Sequence, residues 1–319
     1  GTDGYDCIGN SANAKNIMTV GSVKDIPGGY TGTADVMMEE YSGWGPADDG
    51  RIKPDIIANG EELISAGNDD DANYDTISGT SMAAPTVTGT LTLLQEYYQQ
   101  LNGGFMNASA LKGLVLNTTY EAGDHDGPDY KFGWGLLNAP GAANMITEDD
   151  AEGGLIVETA LQEAQTTEYT YYSDGSTDIN ATLIWNDPAH DPLPPALNPT
   201  TRVLVNDLDI RITRNSDGSV FFPWVLDPSA PDAAATQNDN DRDNIETVNM
   251  LSPQAGSYTI TVSHKDTLAG SSQMYGLIVN GMTTSTQQSY CDANHSFWDS
   301  YEYIQQVTFA GIDNASGRS

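Results

Sequence analysis

Between residues 82 and 100, Ala84, Val87, Leu91, Leu94 and Tyr98 recur at steps of three or four, the spacing that gives a helix one buried face. Pro85 falls in the first turn of this predicted helix, where a missing N–H costs little, and Ser81 stands where a cap belongs. A second helix is predicted over 109–118, with Ser109 as cap and Leu111, Leu114 and Val115 facing inward. A third begins after Asn138, with Pro140 in its first turn. Upstream, residues 14–24 suit a short buried strand centred on Ile17 to Val20, and "KPDIIANG" at 53–60 suits another that stops at a glycine. Strands mixed with helices point to an α/β domain.

The acidic stretch "TEDDAEGG" at 147–154 ends in paired glycines and reads as a boundary. Beyond it the helical period disappears. Short apolar or alternating runs, "ATLIWND", "RVLVNDLDIRIT", "SVFFPWVL", "ETVNML", "GSYTITVSH" and "MYGLIVNG", are separated by Gly, Pro, Asp and Asn, the pattern of an all-β sandwich or jelly roll. The expected division is 1–150 for the α/β part, 151–283 for the β domain, and 284–319 for a linker and the start of a further β module.

Charge narrows the partners. Twelve Lys and Arg stand against 45 Asp and Glu, a formal charge of −33, so nucleic acid and anionic membrane surfaces are repelled. The acids serve as a solvated surface or as oxygen ligands for a hard cation. No apolar run approaches the ~18 to 20 residues that span a bilayer. The start, "GTDGYDCIGN", has neither an initiator Met nor a signal-like core and reads as internal or processed. Cys7 and Cys291 lack zinc-site spacing; they pair with each other, pair with sequence outside the chain, or remain thiols.

A serine becomes a nucleophile only when a base takes its proton and donors receive the oxyanion, and a helix N-terminus supplies part of that field. In "SGTSMAAPTVTG", the small residues Ser78, Gly79 and Thr80 let a substrate backbone approach Ser81. "GTSMAAP" resembles the active-serine motif of the subtilisin-like serine proteases. "AKNIMTVGSV", "YSGWGPADDGRIKPDIIANG" and "DYKFGWGLLNAPGAA" resemble further segments of that family, in the family's order, so the resemblance covers residues 1 to about 150. It implies the C-terminal portion of a subtilisin-like catalytic domain, a parallel sheet with helices, with Ser81 as acyl-forming nucleophile and Ser78 to Thr80 along the substrate. Met82 would be the oxidation-sensitive neighbour, and Thr86 stands where many relatives carry histidine. The family's triad runs Asp, His, Ser. This sequence has no matching Asp or His segment before Ser81, and His125, His190, His264 and His295 follow it in unrelated contexts. The Asp, the His and the oxyanion asparagine are therefore expected upstream, on the precursor, on a bound N-terminal fragment or on another copy.

The second constellation is acidic. Asp207 and Asp209 are two apart and share one face of a strand whose other face carries Leu204, Leu208 and Ile210. Asp239, Asp241, Asp243, Asn244 and Glu246 follow in "QNDNDRDNIETV", and Asp187 in "IWNDP". An oxygen-only set suits Ca²⁺ rather than zinc; a solvated acidic loop is the other reading. The order of "LIWNDP", "LVNDLDIRI", "NDNDRDNIETV" and "PQAGSYTITVSHK" resembles the jelly-roll domain of large secreted bacterial subtilisin-like proteases, which implies bound calcium and an extracellular protein. The leading expectation is thus a secreted, calcium-stabilised serine endopeptidase acting on peptides. The rival is a protease-derived scaffold without a triad, serving adhesion or assembly. A third reading, sugar binding by the β domain, draws on Trp185 and Trp224, although both lie in strand patterns that suit the core.

Overall fold

The computed structural model describes residues 4–196 and 199–285. Strands β1 (Val20–Val23) and β2 (Ile56–Asn59) pair in parallel with Val20 opposite Ile56, and β2 is buried through Ile56, Ile57 and Ala58. The first strand lies later than the Ile17–Val20 centre expected, and Ile17 is left 43% exposed. An antiparallel hairpin of β3 (Leu63–Ala66) and β4 (Tyr74–Ile77), absent from the sequence expectation, precedes helix α1 (Thr80–Asn102). Helices α2 (Ala108–Asn117) and α3 (Ala139–Glu152) follow. The cap of α2 is Asn107, and Ser109 is buried one residue inside the helix. Asn138 caps α3 by accepting from Gly141 N, with Pro140 in the first turn as expected.

The boundary expected at 147–154 is mostly helix: α3 continues through Glu152, and only Gly153 and Gly154 turn the chain. Asp149 explains this. Its side chain accepts the backbone N–H groups of Leu155 and Ile156, at 2.8 and 2.9 Å, and so fastens the helix end to the next strand.

Further strands complete the order among the described residues: β5 (Ile156–Gln162), β6 (Thr167–Ser173), β7 (Ile179–Trp185), β8 (Leu208–Arg214), β9 (Ser219–Phe221), the short pair β10 (Trp224–Val225) and β11 (Thr236–Gln237), β12 (Ile245–Met250), β13 (Gly256–His264) and β14 (Ser272–Asn280). Apart from β10 and β11, which pair with each other, they form two four-stranded antiparallel sheets, ordered β12-β7-β14-β5 and β6-β13-β8-β9. Trp185, Tyr171, Tyr258, Ile210, Ile260 and Leu183 are buried in the core these sheets share.

That core does not stop at the junction with the α/β part. It runs continuously from Ala83, Val87 and Leu114 to Leu183 and Ile278. Helix α2 lies directly on the first sheet: a Cβ at Gly113 would meet Ile184 Cγ2 at 2.6 Å, so only glycine allows this approach. The expected module over 284–319 lies outside the described residues, apart from 284 and 285, and so does Cys291. Among the described residues, no helix is long and apolar enough to cross a membrane.

Candidate active site

Gly79, not Ser81, is the cap of α1, and Ser81 is the exposed second residue of the helix. The N–H groups of Met82 and Ala83 turn back onto Gly79 O at 2.9 and 3.2 Å. Gly79 N donates to Gly60 O at 2.8 Å, which ties the helix start to the end of β2. The approach is close enough that a Cβ at Gly60 would meet Gly79 O at 2.6 Å and strike Ser22 Oγ. Ser78 Oγ accepts the N–H of Glu62 at 2.8 Å, so the segment before the serine is fastened to the hairpin as well. Ser78, Gly79, Thr80 and Ser81 are thus one braced corner between β4 and α1.

Because α1 starts at Thr80, Pro85 lies inside it, in the second turn. Proline has no N–H, so the carbonyl of Ser81 lacks its usual helical donor four residues on. Ala83, Val87 and Leu94 are buried toward β1, β2 and α3. The opposite face is open. Thr86, Thr88, Thr90 and Thr92 each bond the carbonyl four residues back, and Leu93 is 66% exposed beside them. Ile64 and Tyr74 of the hairpin are 73% and 72% exposed.

The histidines are committed elsewhere or exposed. His264 Nε2 accepts from Ala164 N at 2.9 Å, His190 meets Asp191 O, and His125 lies on an exposed loop. His295 lies outside the described residues.

A buried ion triad, which sequence reasoning missed, sits under β1 and β2. Asp55 takes Lys53 Nζ at 2.6 Å and Lys112 Nζ at 2.7 Å, and also accepts Thr19 N at 2.6 Å. Burial works to raise the Asp55 pKa, but the two ammonium groups outweigh it and hold the carboxyl below its usual range. Burial pulls Lys53 down to about 8 despite Asp55. The apolar face of α2 pointed to the core, and nothing in its period marked Lys112 as buried.

The expected calcium ligands do not converge on one point. Asp187 pairs with Lys15 and accepts the N–H groups of Val205 and Asn206 at 2.9 and 2.7 Å. Asp243 accepts Ile52 N at 2.8 Å, and Asn244 donates to Trp185 O at 2.6 Å and to Asn16 Oδ1 at 3.2 Å. These three residues fasten the β-rich part to residues 15–52. Asp241 is half-buried and pairs with Arg202. Only Asp207, Asp209 and Glu246 draw together, joined by Asp239, and cations already sit among them. Lys265 Nζ lies 3.2, 3.1 and 3.0 Å from Asp207, Asp209 and Asp239, while Arg211 pairs with Asp209, with Asp239 and, at 3.7 Å, with Glu246.

The charges that join these carboxylates are the Lys265 ammonium and the Arg211 guanidinium. Among the described residues no group of three or more His, Cys, Asp or Glu is arranged to hold a metal. Calcium would have to displace Lys265, so the residues present do not fit it as a resident ion. Chelator is accordingly expected to leave the melting midpoint unchanged. Lys265→Ala should lower it by roughly a few degrees, by leaving carboxylates uncompensated. A drop in chelator with Lys265 intact would reverse this assignment.

Burial raises several acids, Glu121 and Asp243 among them. Glu121 is pushed up to about 7, chiefly by desolvation with Asp126 and Asp129 adding repulsion, and Asp243 to about 6, again chiefly by desolvation. A group raised on folding holds its proton in the folded state after the unfolded chain has lost it. Its stabilising contribution is complete below ~4 and is lost as pH rises through 6 to 7. A higher melting midpoint at pH 5 than at pH 8 is expected in thermal scans.

Ser81 is thus an exposed serine at the start of a braced helix, between segments that fix its backbone. Residues 3–135 match the Subtilase family model, and this stretch of the chain is subtilisin-like, as its motifs indicate. The serine protease/ABC transporter B family protein tagA of Dictyostelium discoideum is 26% identical over 313 residues, 87% of this chain and 17% of tagA. The C5a peptidase of Streptococcus pyogenes serotype M3 is 37% identical over 87 residues, 27% of this chain and 7% of the peptidase. The chain therefore spans less than a fifth of either relative. Among solved structures, the patellamide maturation protease PatA is 26% identical over 46% of this chain and 49% of its own, with a TM-score of 0.36.

Proposed function

We propose that the chain is the nucleophile-bearing part of a secreted serine endopeptidase, in which Ser81 forms the acyl-enzyme and upstream sequence supplies Asp and His. The observation that carries this reading is the placement of Ser81, exposed at the second position of α1 within the stretch that matches the Subtilase model. The backbone of Ser78, Gly79 and Thr80 would lie along a peptide substrate, and the helix start would favour the oxyanion. The open face of α1 and the exposed Ile64 and Tyr74 support completion of this half by further chain, since such apolar surface is costly in water. The eight strands of the two four-stranded sheets, counted in order, run 1-8-3-6 and 2-7-4-5, and this order supports a jelly roll as the second unit, docked rather than tethered. A fluorophosphonate probe tests the reading: Ser81 is labelled in a chain extended upstream and not in residues 1–319 alone. Failure of labelling in the extended chain would leave the inactive scaffold.

A further inference from the structure

The sequence placed both Trp185 and Trp224 in the core, and the structure separates them. Trp185 is fully buried, whereas Trp224 is half-buried and lines a hollow of about 610 Å³ between β9, β11 and the 249–254 turn. A second hollow of about 150 Å³, reaching toward Glu121 and Trp134, shares Asp126, Trp224, Asn249 and Leu251 with the first. The larger volume is within the ~300 to 1,000 Å³ of small-ligand sites.

The Trp224 ring is held in place from behind. A Cβ at Gly127, whose φ is +83°, would meet ring atoms Cε2 and Cδ2 at 2.8 and 2.9 Å. Gly127 is therefore required both for its backbone and for its closeness to the ring. Planar amides flank the aromatic surface: Gln237, Asn249 and Gln254 line the larger hollow. In the smaller one, Trp134, only 8% exposed, has a buried Nε1 without a protein partner, and Asn180 has a buried Oδ1 likewise without one. An unused donor and an unused acceptor beside one cavity ask for a guest that both takes and gives hydrogen bonds.

Charge selects among such guests. The cation of the hollow, Arg214, is engaged by Asp217 through Nε at 3.0 Å and a second nitrogen at 2.6 Å. What remains is acidic, from Asp126, on a chain of formal charge −33. Phosphate, sulfate and uronic acid groups are thereby disfavoured. An aromatic ring flanked by amides, carboxylate and backbone suits the apolar face and hydroxyl rim of a sugar ring.

We propose that this double hollow binds a neutral oligosaccharide, stacked on Trp224 and hydrogen-bonded to Asp126 and Asn249. Trp224 then acts as a platform, and the β-rich unit as a module that holds the protein on a glycan surface, independently of Ser81.

The test is titration of the full chain with cellohexaose, chitohexaose and maltohexaose, followed by tryptophan fluorescence and calorimetry. At least one is expected to bind and to perturb Trp emission. Trp224→Ala should weaken that binding about tenfold or more, as loss of stacking on this scale implies. Asp126→Ala, on an exposed loop and harmless to folding, should weaken it by a similar factor through lost charged hydrogen bonds. Absence of binding by all three sugars overturns the proposal, as does binding that both variants retain. Tighter binding of a Lys- and Arg-rich peptide at the same residues would also overturn it, in favour of a peptide groove.

Discussion

Ser81→Ala, made in a chain extended upstream to include the Asp- and His-bearing segments, is expected to lower peptide hydrolysis by on the order of 10⁶ in turnover, the scale for removal of a triad nucleophile. Binding should survive, because the backbone of Ser78 to Thr80 is braced by contacts the hydroxyl does not make: Gly79 N to Gly60 O and Glu62 N to Ser78 Oγ. Stability should also survive. Ser81 is exposed at the second position of a helix, where alanine is a better helix former, so the change stays within about 0.5 kcal/mol. The informative result is therefore lost turnover with an unchanged melting midpoint and an unchanged inhibition constant for a non-covalent peptide. Retained turnover in Ser81→Ala would remove the serine from the chemistry, whatever its sequence context.

The same corner shows what could be read from sequence. The period of Ala84, Val87, Leu91 and Leu94 located α1 because helix burial is a local signal, repeated every turn. Its start was misjudged by position rather than by type: Gly79 caps by backbone alone, and its engagement with Gly60 comes from a segment about twenty residues away. Likewise β13 coincides with "GSYTITVSH", whose alternation matches its burial pattern. The hairpin of β3 and β4 was illegible because it buries little and so carries no strong alternation.

The candidate calcium residues are drawn apart for a related reason. Acidic spacing along the chain gives the anions of a site but not their counter-charges, and here two of those, Lys265 and Lys15, come from distant segments, while Arg211 stands two residues from Asp209 on the same strand. Asp187 and Asp243 had the composition of ligands and serve instead as acceptors for two donors of the α/β part, the Lys15 ammonium and the Ile52 N–H. The continuous core was hidden in the same way. "TEDDAEGG" looks like a linker because its acids are polar, yet Asp149 turns inward to cap the start of β5.

Asp55→Ala is expected to be the most destabilising single change in the described chain. Asp55 is 3% exposed and lies between two ammonium groups that are themselves buried, Lys53 at 1% and Lys112 at 7%. Removing it leaves two uncompensated cations, and breaking such a buried arrangement costs about 3–5 kcal/mol, out of a total that is about 5–15 for typical domains. The loss should not stay local. Asp55 also holds Thr19 N, just before β1, and Lys112 carries the network into α2, so β1, β2 and α2 loosen together. Since β2 leads directly to Gly60 and the corner that holds Ser81, activity should fall along with stability.

The pH dependence separates this account from simple loss of packing. Burial lowers the Lys53 pKa to about 8 on folding, from the ordinary lysine value of 10.5. Between those values the unfolded chain binds more protons, so this lysine's contribution to stability rises with pH across that window. Without Asp55, Lys53 loses the charge that holds its proton, and the window opens at lower pH. The deficit of Asp55→Ala relative to the parent, measured by urea unfolding, should therefore shrink between pH 6.5 and pH 9. Asp55→Ala combined with Lys53→Met and Lys112→Met should recover most of the loss, because it removes the stranded cations rather than restoring an anion. A deficit that is constant with pH, and that the triple variant does not relieve, would assign Asp55 a packing role in place of the electrostatic one.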